Sequence, residues 1–218
     1  MLTLPVEAGS AAANRPARIL VIGRSETVLS EAVTILREKG YAAGATNEFD
    51  RTLDLFDVGQ LDLVVFGGMV PPDTKEHLRE QISTRNPAAT FVQGYAGIPG
   101  LIAEQVEAAL SDGTTRPTAS VTYDAQSRSI GISLDGPQDV TVIAWWHTSF
   151  VPPEPKSTSR VILDEELPTG AHTIAIPDEV PAQASFATVS AGPSVHAFIV
   201  GPMPSGTTRA RFPNPSSA

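Results

Sequence analysis

The run Arg18-Ile19-Leu20-Val21-Ile22-Gly23 sets the reading of the first half of the chain. Consecutive apolar residues closed by a glycine are the pattern of a strand buried on both faces. The period changes directly after it. Val28, Leu29, Ala32, Val33, Ile35 and Leu36 recur at helical spacing, with Ser25 placed as N-cap and Gly40 as the stop.

Moving outward, the same alternation repeats. Tyr41 to Thr46 predicts a short strand, and Phe49, Leu53, Leu55 and Phe56 predict a helix ending near Gly59. Leu61 to Phe66 is a second fully apolar strand, closed by Gly67 and Gly68. Pro71-Pro72 and a cap at Asp73 introduce a helix from Thr74 to Thr84. Thr90 to Gln93 and Gly100 to Leu110 complete the series as strand and helix. Uniformly apolar strands alternating with helices predict a parallel sheet covered on both faces, and right-handed crossovers leave few ways to connect it.

Beyond Ser111 helical periodicity stops. Short β-rich runs follow at Ala119–Asp124, Ser129–Leu134, Asp139–His147, Ser159–Leu163, His172–Ile176, Ser185–Val189 and Val195–Val200. Turn residues separate them, among them Asp135-Gly136-Pro137, Thr169-Gly170 and Gly192-Pro193. This punctuation predicts a small antiparallel β-sandwich. The expected fold class is therefore α/β plus all-β. Residues 1–16 read as a flexible arm, 17–111 as the α/β domain and 112–118 as a linker. Residues 119–202 read as the sandwich, and 203–218 as a disordered, Pro- and Ser-rich tail.

Composition bounds the function. The chain has 218 residues, enough for two domains with their own cores. A net charge of −9 argues against a nucleic-acid partner and against docking on an anionic membrane. There is no cysteine, so disulfides, thiolate nucleophiles and Cys-based metal sites are excluded. No apolar run reaches the roughly 20 residues of a membrane span, and the start carries no signal-peptide pattern. A cytoplasmic location is the expectation.

Residues 18–110 resemble the receiver domain of bacterial response regulators, a flavodoxin-like fold. The likeness is carried by Arg18 to Ile22 with its following helix, by Asp62-Leu63-Val64-Val65-Phe66, and by the βα order. The resemblance implies carboxylates after the first strand to hold Mg²⁺ and a phosphorylatable aspartate ending the third. This chain has Gly23-Arg24 and Gly67 at those positions. Its fourth strand runs into Gly94 where the family has Ser or Thr, and a βα unit with the family's lysine is missing. Phosphoryl transfer through an aspartate is excluded at the matching position, and hard divalent cations lack oxygen ligands there. The second half resembles immunoglobulin and fibronectin type III domains only in general pattern.

Two groups of residues are candidate sites. Gly23, Arg24, Ser25, Gly67, Gly68, Gly94 and Tyr95 stand at predicted carboxyl ends of parallel strands, where open α/β sheets bind ligands. Glycines there either admit an anion to the backbone or merely make tight turns and close packing. No dinucleotide fingerprint and no P-loop accompanies them. Trp145 and Trp146 are adjacent in one strand, so their side chains point to opposite faces. One suits a sandwich core. The other, with Phe150 and the Pro152-to-Pro155 loop, faces solvent, the first domain or a second chain, and an interface role follows.

His147, His172 and His196 fall in different predicted strands without metal-ligand spacing, and no serine lies in a nucleophile elbow. No catalytic residue, cofactor or metal is expected. The leading expectation is a non-enzymatic regulatory or interaction module, acting as a homo-oligomer or with a protein partner. The alternative is a sensor of a nucleotide or phosphorylated metabolite, or an enzyme, using the glycine-lined crevice.

Overall fold

A computed structural model describes residues 15–111, 119–149 and 156–202 of the chain. The expected linker, tail and Phe150 with its proline loop lie outside these residues, as does the arm up to residue 14. Arg15, the last charged residue of that arm, forks onto the Asp62 carboxylate with bonds of 3.0 and 2.7 Å.

The first half is a four-stranded parallel sheet of β1 (Arg18–Ile22), β2 (Ala42–Thr46), β3 (Leu63–Phe66) and β4 (Thr90–Gln93), in the order β2-β1-β3-β4. This is the flavodoxin-like order without its fifth strand. α1 (Glu26–Glu38) starts where the Ser25 hydroxyl accepts from the Val28 amide at 3.2 Å. It stops before Gly40, whose φ of +91° suits glycine. Glu26 and Arg37 complement the two ends of its dipole.

Between β2 and β3 the expected helix is broken. Only one turn, α2 (Thr52–Leu55), is α-helical, because Phe56 turns to extended backbone and lays its ring over Gly44 of β2. α3 (Pro72–Arg85) begins at a proline suited to the first helical position. Asp73 therefore lies inside the first turn, not at the cap.

Alternate residues of the central strands feed two cores. Leu20, Ile22, Val64 and Phe66 pack under Leu78 and Ile82 of α3. Ile19, Val21, Leu63 and Val65 pack under α1 and under α4 (Pro99–Ser111) through Ile102, Ala103 and Val106.

The second half is an antiparallel β-sandwich. β5 (Ala119–Asp124), β6 (Ser129–Leu134) and β9 (Gly170–Ala175) form one sheet. β7 (Gln138–Ser149), β8 (Lys156–Leu167), β10 (Ser185–Ala191) and β11 (Ser194–Gly201) form the other, in the order β11-β10-β7-β8. Ile130, Ile132 and Leu134 alternate inward from one sheet, and Val140, Val142, Ala144 and Val189 from the other. A register shift near Val142/Ile143 puts a bulge into the β7–β8 pair. Bulges blunt an exposed edge such as β8.

The halves share a layer. α4 packs against β11 as well as against the parallel sheet. Its buried residues run consecutively from Leu101 to Val106, including Glu104 and Gln105. A helix buried all round sits between two layers. The stacking is thus α3, parallel sheet, α1 with α4, then the two sheets of the sandwich.

Candidate functional site

The chain reverses its winding between β1 and β3, so the switch-point crevice lies between Gly23-Arg24-Ser25 and Gly67-Gly68. Backbone closes it. A Cβ on Gly67 would stand 3.2 Å from the Ile22 carbonyl and 3.4 Å from the Gly23 Cα. The amides are committed as well. Gly23 donates to Thr46 O at 3.1 Å, Gly67 to Ile22 O at 2.8 Å and Gly94 to Phe66 O at 2.9 Å. These bonds extend the parallel ladder past the strand ends, leaving those three donors unavailable to an anion.

Side chains finish the closure. Arg24 reaches across to donate to the Met69 carbonyl at 3.2 Å and lies 6.0 Å from the Phe49 ring centroid. Ser25 serves as the helix cap. At the end of β4, the Gln93 side-chain amide donates to Phe66 O and Gly94 O, and Lys75 donates to its oxygen at 2.9 Å. Gln105 bridges Gln93 O and the Tyr95 amide. Of the crevice glycines only Gly68 faces open space. Burial, then the neighbouring Arg79 charge, pushes the Lys75 ammonium below its ordinary value.

The tryptophans part as strand geometry requires. Trp146 packs against the sandwich core. Trp145 faces the first domain, where it joins Phe186, Ala96, Ile98 and Leu101 in a separate apolar cluster. Its indole N–H donates to Thr188 Oγ1 at 2.9 Å. Its six-membered ring lies so close to α4 that a Cβ on Gly100 would be 2.4 Å from Cζ3. Tyr95 stacks on Phe186 with centroids 6.0 Å apart, so one residue of the crevice group belongs to this seam. Full burial of Phe186 and of Leu101 contributes about 2 kcal/mol each to the folded state.

A polar strut runs beside the apolar cluster. Glu104, only 8% exposed, accepts from Lys39 at 3.3 Å and from Ser190 of β10 at 3.4 Å. Burial alone would lower the Lys39 ammonium, but the bonds and charges of Glu107 and Glu104 outweigh it and raise the pKa above its ordinary value. Next to this strut the seam opens into a cleft of about 320 Å³, bordered by Glu31, Glu104, Trp145 and the hydroxyl run Ser157 to Ser159.

The structure thus gathers Gly23, Arg24, Ser25, Gly67 and Gly68 at one mouth and Trp145 with Tyr95 at the seam. Trp146 stands apart from both. Sequence reasoning missed Glu104, Gln105 and Phe186, and grouped Gly100 with the strand-end glycines where the structure sets it against Trp145. The near-continuous apolar stretch Leu101-Ile102-Ala103 in a helix poor in charge was the available signal for a helix covered on two sides. Among the described residues no group of three His, Asp or Glu side chains is placed to hold a metal ion, and no helix is long and apolar enough to cross a membrane.

No family model matches the chain, and no curated protein matches it. Solved structures similar to it include a β-glucosidase from Erythrobacter marinus, at 7% identity and TM-score 0.32, over 84% of this chain and 46% of that one. A β-glucosidase from Listeria innocua in complex with glucose is similar at 10% identity and TM-score 0.31, over 87% of this chain and 46% of that one. The chain spans about half the length of these proteins. Such values establish neither a shared fold nor a shared activity.

Proposed function

We propose that the chain is a non-catalytic regulatory or interaction protein, in which a receiver-like domain without phosphorylation chemistry is a rigid platform for an immunoglobulin- or fibronectin-like sandwich. The observation that carries this reading is the closed strand-end mouth. Enzymes and sensors on open α/β sheets use that crevice. Here it is filled by glycine backbone, the Arg24 strap and the Gln93–Gln105 bonds. The sheet order β2-β1-β3-β4 supports the receiver likeness, from which the chain departs by lacking the fifth strand. Seven strands split four and three support the sandwich likeness, although β8 pairs with β7 where constant-type immunoglobulin domains pair that strand with the fifth.

The partner is a protein, either a second copy or another chain, and the setting is cytoplasmic. Met69, Val161 and Ile199 are apolar side chains left exposed for such contacts. Multi-angle light scattering at rising concentration reads self-association directly, with a mass above the monomer expected. A monomer throughout would move the reading to a foreign partner.

The reading is tested by a thermal-shift screen with nucleotides and phosphorylated metabolites, because a ligand selective for the native state raises its stability by mass action. No shift is expected. A shift that disappears in Gly68→Asp would replace this reading with a phosphorylated-ligand sensor. Gly68 is the better control than Gly67, since its side chain would enter open space.

A further inference from the structure

We infer that the cleft at the domain seam is a binding site for a small organic cation, an amine or quaternary ammonium with an apolar body. It lies at a domain interface, and its volume of about 320 Å³ is in the range of small-ligand pockets. Its chemistry is one-sided. Two carboxylates, Glu31 and Glu104, border it together with Ser157 and Ser159, which share the Trp145 face of the β7–β8 pair, and among the described residues lining it there is no Lys or Arg.

The aromatic wall is preorganised. Trp145 is held at its five-membered ring by the bond to Thr188 and at its six-membered ring by Gly100, so its orientation is fixed before any ligand arrives. Tryptophan is the best aromatic partner for a cation, and quaternary ammonium groups are recognised by such surfaces. Glu104 is partly neutralised by Lys39, whereas Glu31 has no ion pair among the described residues. Glu31 is therefore the charge left for a ligand to meet. An anion would be repelled by Glu31, the one bordering carboxylate that no described Lys or Arg pairs with. An uncharged polyol would use the hydroxyls and the ring and leave Glu31 unmatched.

The test is calorimetric titration of the full chain with choline, with its uncharged carbon isostere, and with sorbitol. Saturable choline binding is expected, weakened about tenfold in the isostere. Glu31→Gln lies on an exposed helix position and should weaken choline by about three- to tenfold. Ser159→Lys, also at an exposed position, places a tethered ammonium in the cleft and should abolish binding. No saturable heat with choline overturns the inference. Equal binding of the isostere or tighter binding of sorbitol overturns it in favour of an apolar or polyol site. Binding unchanged in both variants places the cation elsewhere and overturns it too.

Discussion

At the strand-end mouth, glycine lets backbone meet backbone: Gly67 abuts the Ile22 carbonyl and Gly23, and the sheet ladder simply continues. At the domain seam, Gly100 lets a helix meet an indole from the other half of the chain. Both are close approaches that a methyl group would spoil. In the mouth the approach removes a potential ligand site, since the amides of Gly23, Gly67 and Gly94 are all used. At the seam the approach fixes a tryptophan against a helix and leaves a cleft beside it. Glycine at a strand end is therefore no guide to binding until its amide and its neighbours are accounted for. A glycine inside a helix, costly by propensity, here marks the place where two domains touch.

The largest effect is expected at the seam's buried ring. Phe186 is 1% exposed and joins both domains, so Phe186→Ala should destabilise by about 3–4 kcal/mol in chemical denaturation. Gly100→Ala is the more telling change. On an exposed helix it would stabilise, but here the new Cβ meets Trp145, whose indole is held by the Thr188 hydroxyl, and should cost about 1–3 kcal/mol. The double variant Gly100→Ala/Trp145→Leu should recover part of that loss, a coupling that a double-mutant cycle reads directly. An additive pair would mean that the ring does not press on α4.

The same pair of sites shows what could be read from sequence. Thr90–Gln93, Ala119–Asp124 and Ser129–Leu134 were legible to the residue, because each is a short apolar or alternating run bounded by turn residues. The opposite facing of Trp145 and Trp146 followed from strand geometry alone, but which neighbour received Trp145 did not. That depends on a pairing of Gly100 with a residue far along the chain, which no local period encodes. The strand-end glycines were legible as a group. Their closure was not, since it rests on hydrogen bonds from Arg24, Gln93 and Gln105 set by tertiary geometry. The helix expected up to Gly59 ends at Phe56, which turns to extended backbone and covers Gly44, a contact that no local period encodes.

Within the mouth, neighbouring glycines should respond differently. Gly67→Ala drives a methyl toward a main-chain oxygen that cannot move without shifting β1, and should cost about 1–2 kcal/mol. Gly68→Ala meets nothing and should stay within about 0.5 kcal/mol of wild type. Thermal denaturation of the two variants side by side tests whether the mouth is packed as tightly as the seam. Equal, small effects would show a mouth loose enough to open.

The smallest expected effect distinguishes the two regions by sign. Lys39 at the seam has its pKa raised, so its contribution is fully present below the unfolded value of 10.5 and is lost as pH climbs through the higher folded value. Lys75 at the mouth has its pKa lowered by burial and Arg79. Its ammonium is a burden in the folded state that is relieved as pH rises toward 10.5, where the unfolded chain binds more protons. Both side chains keep contact with solvent, so each effect should stay within about 0.5 kcal/mol. Between neutral pH and the alkaline limb, urea midpoints of Lys39→Met should start lower than wild type and fall less steeply. Those of Lys75→Met should start equal or higher and lose the relative gain wild type shows on approach to 10.5. Parallel pH profiles for the two variants would mean that Glu104 and Glu107 do not hold Lys39 more firmly than Gln93 holds Lys75, and the polar strut would drop out of the account of the seam.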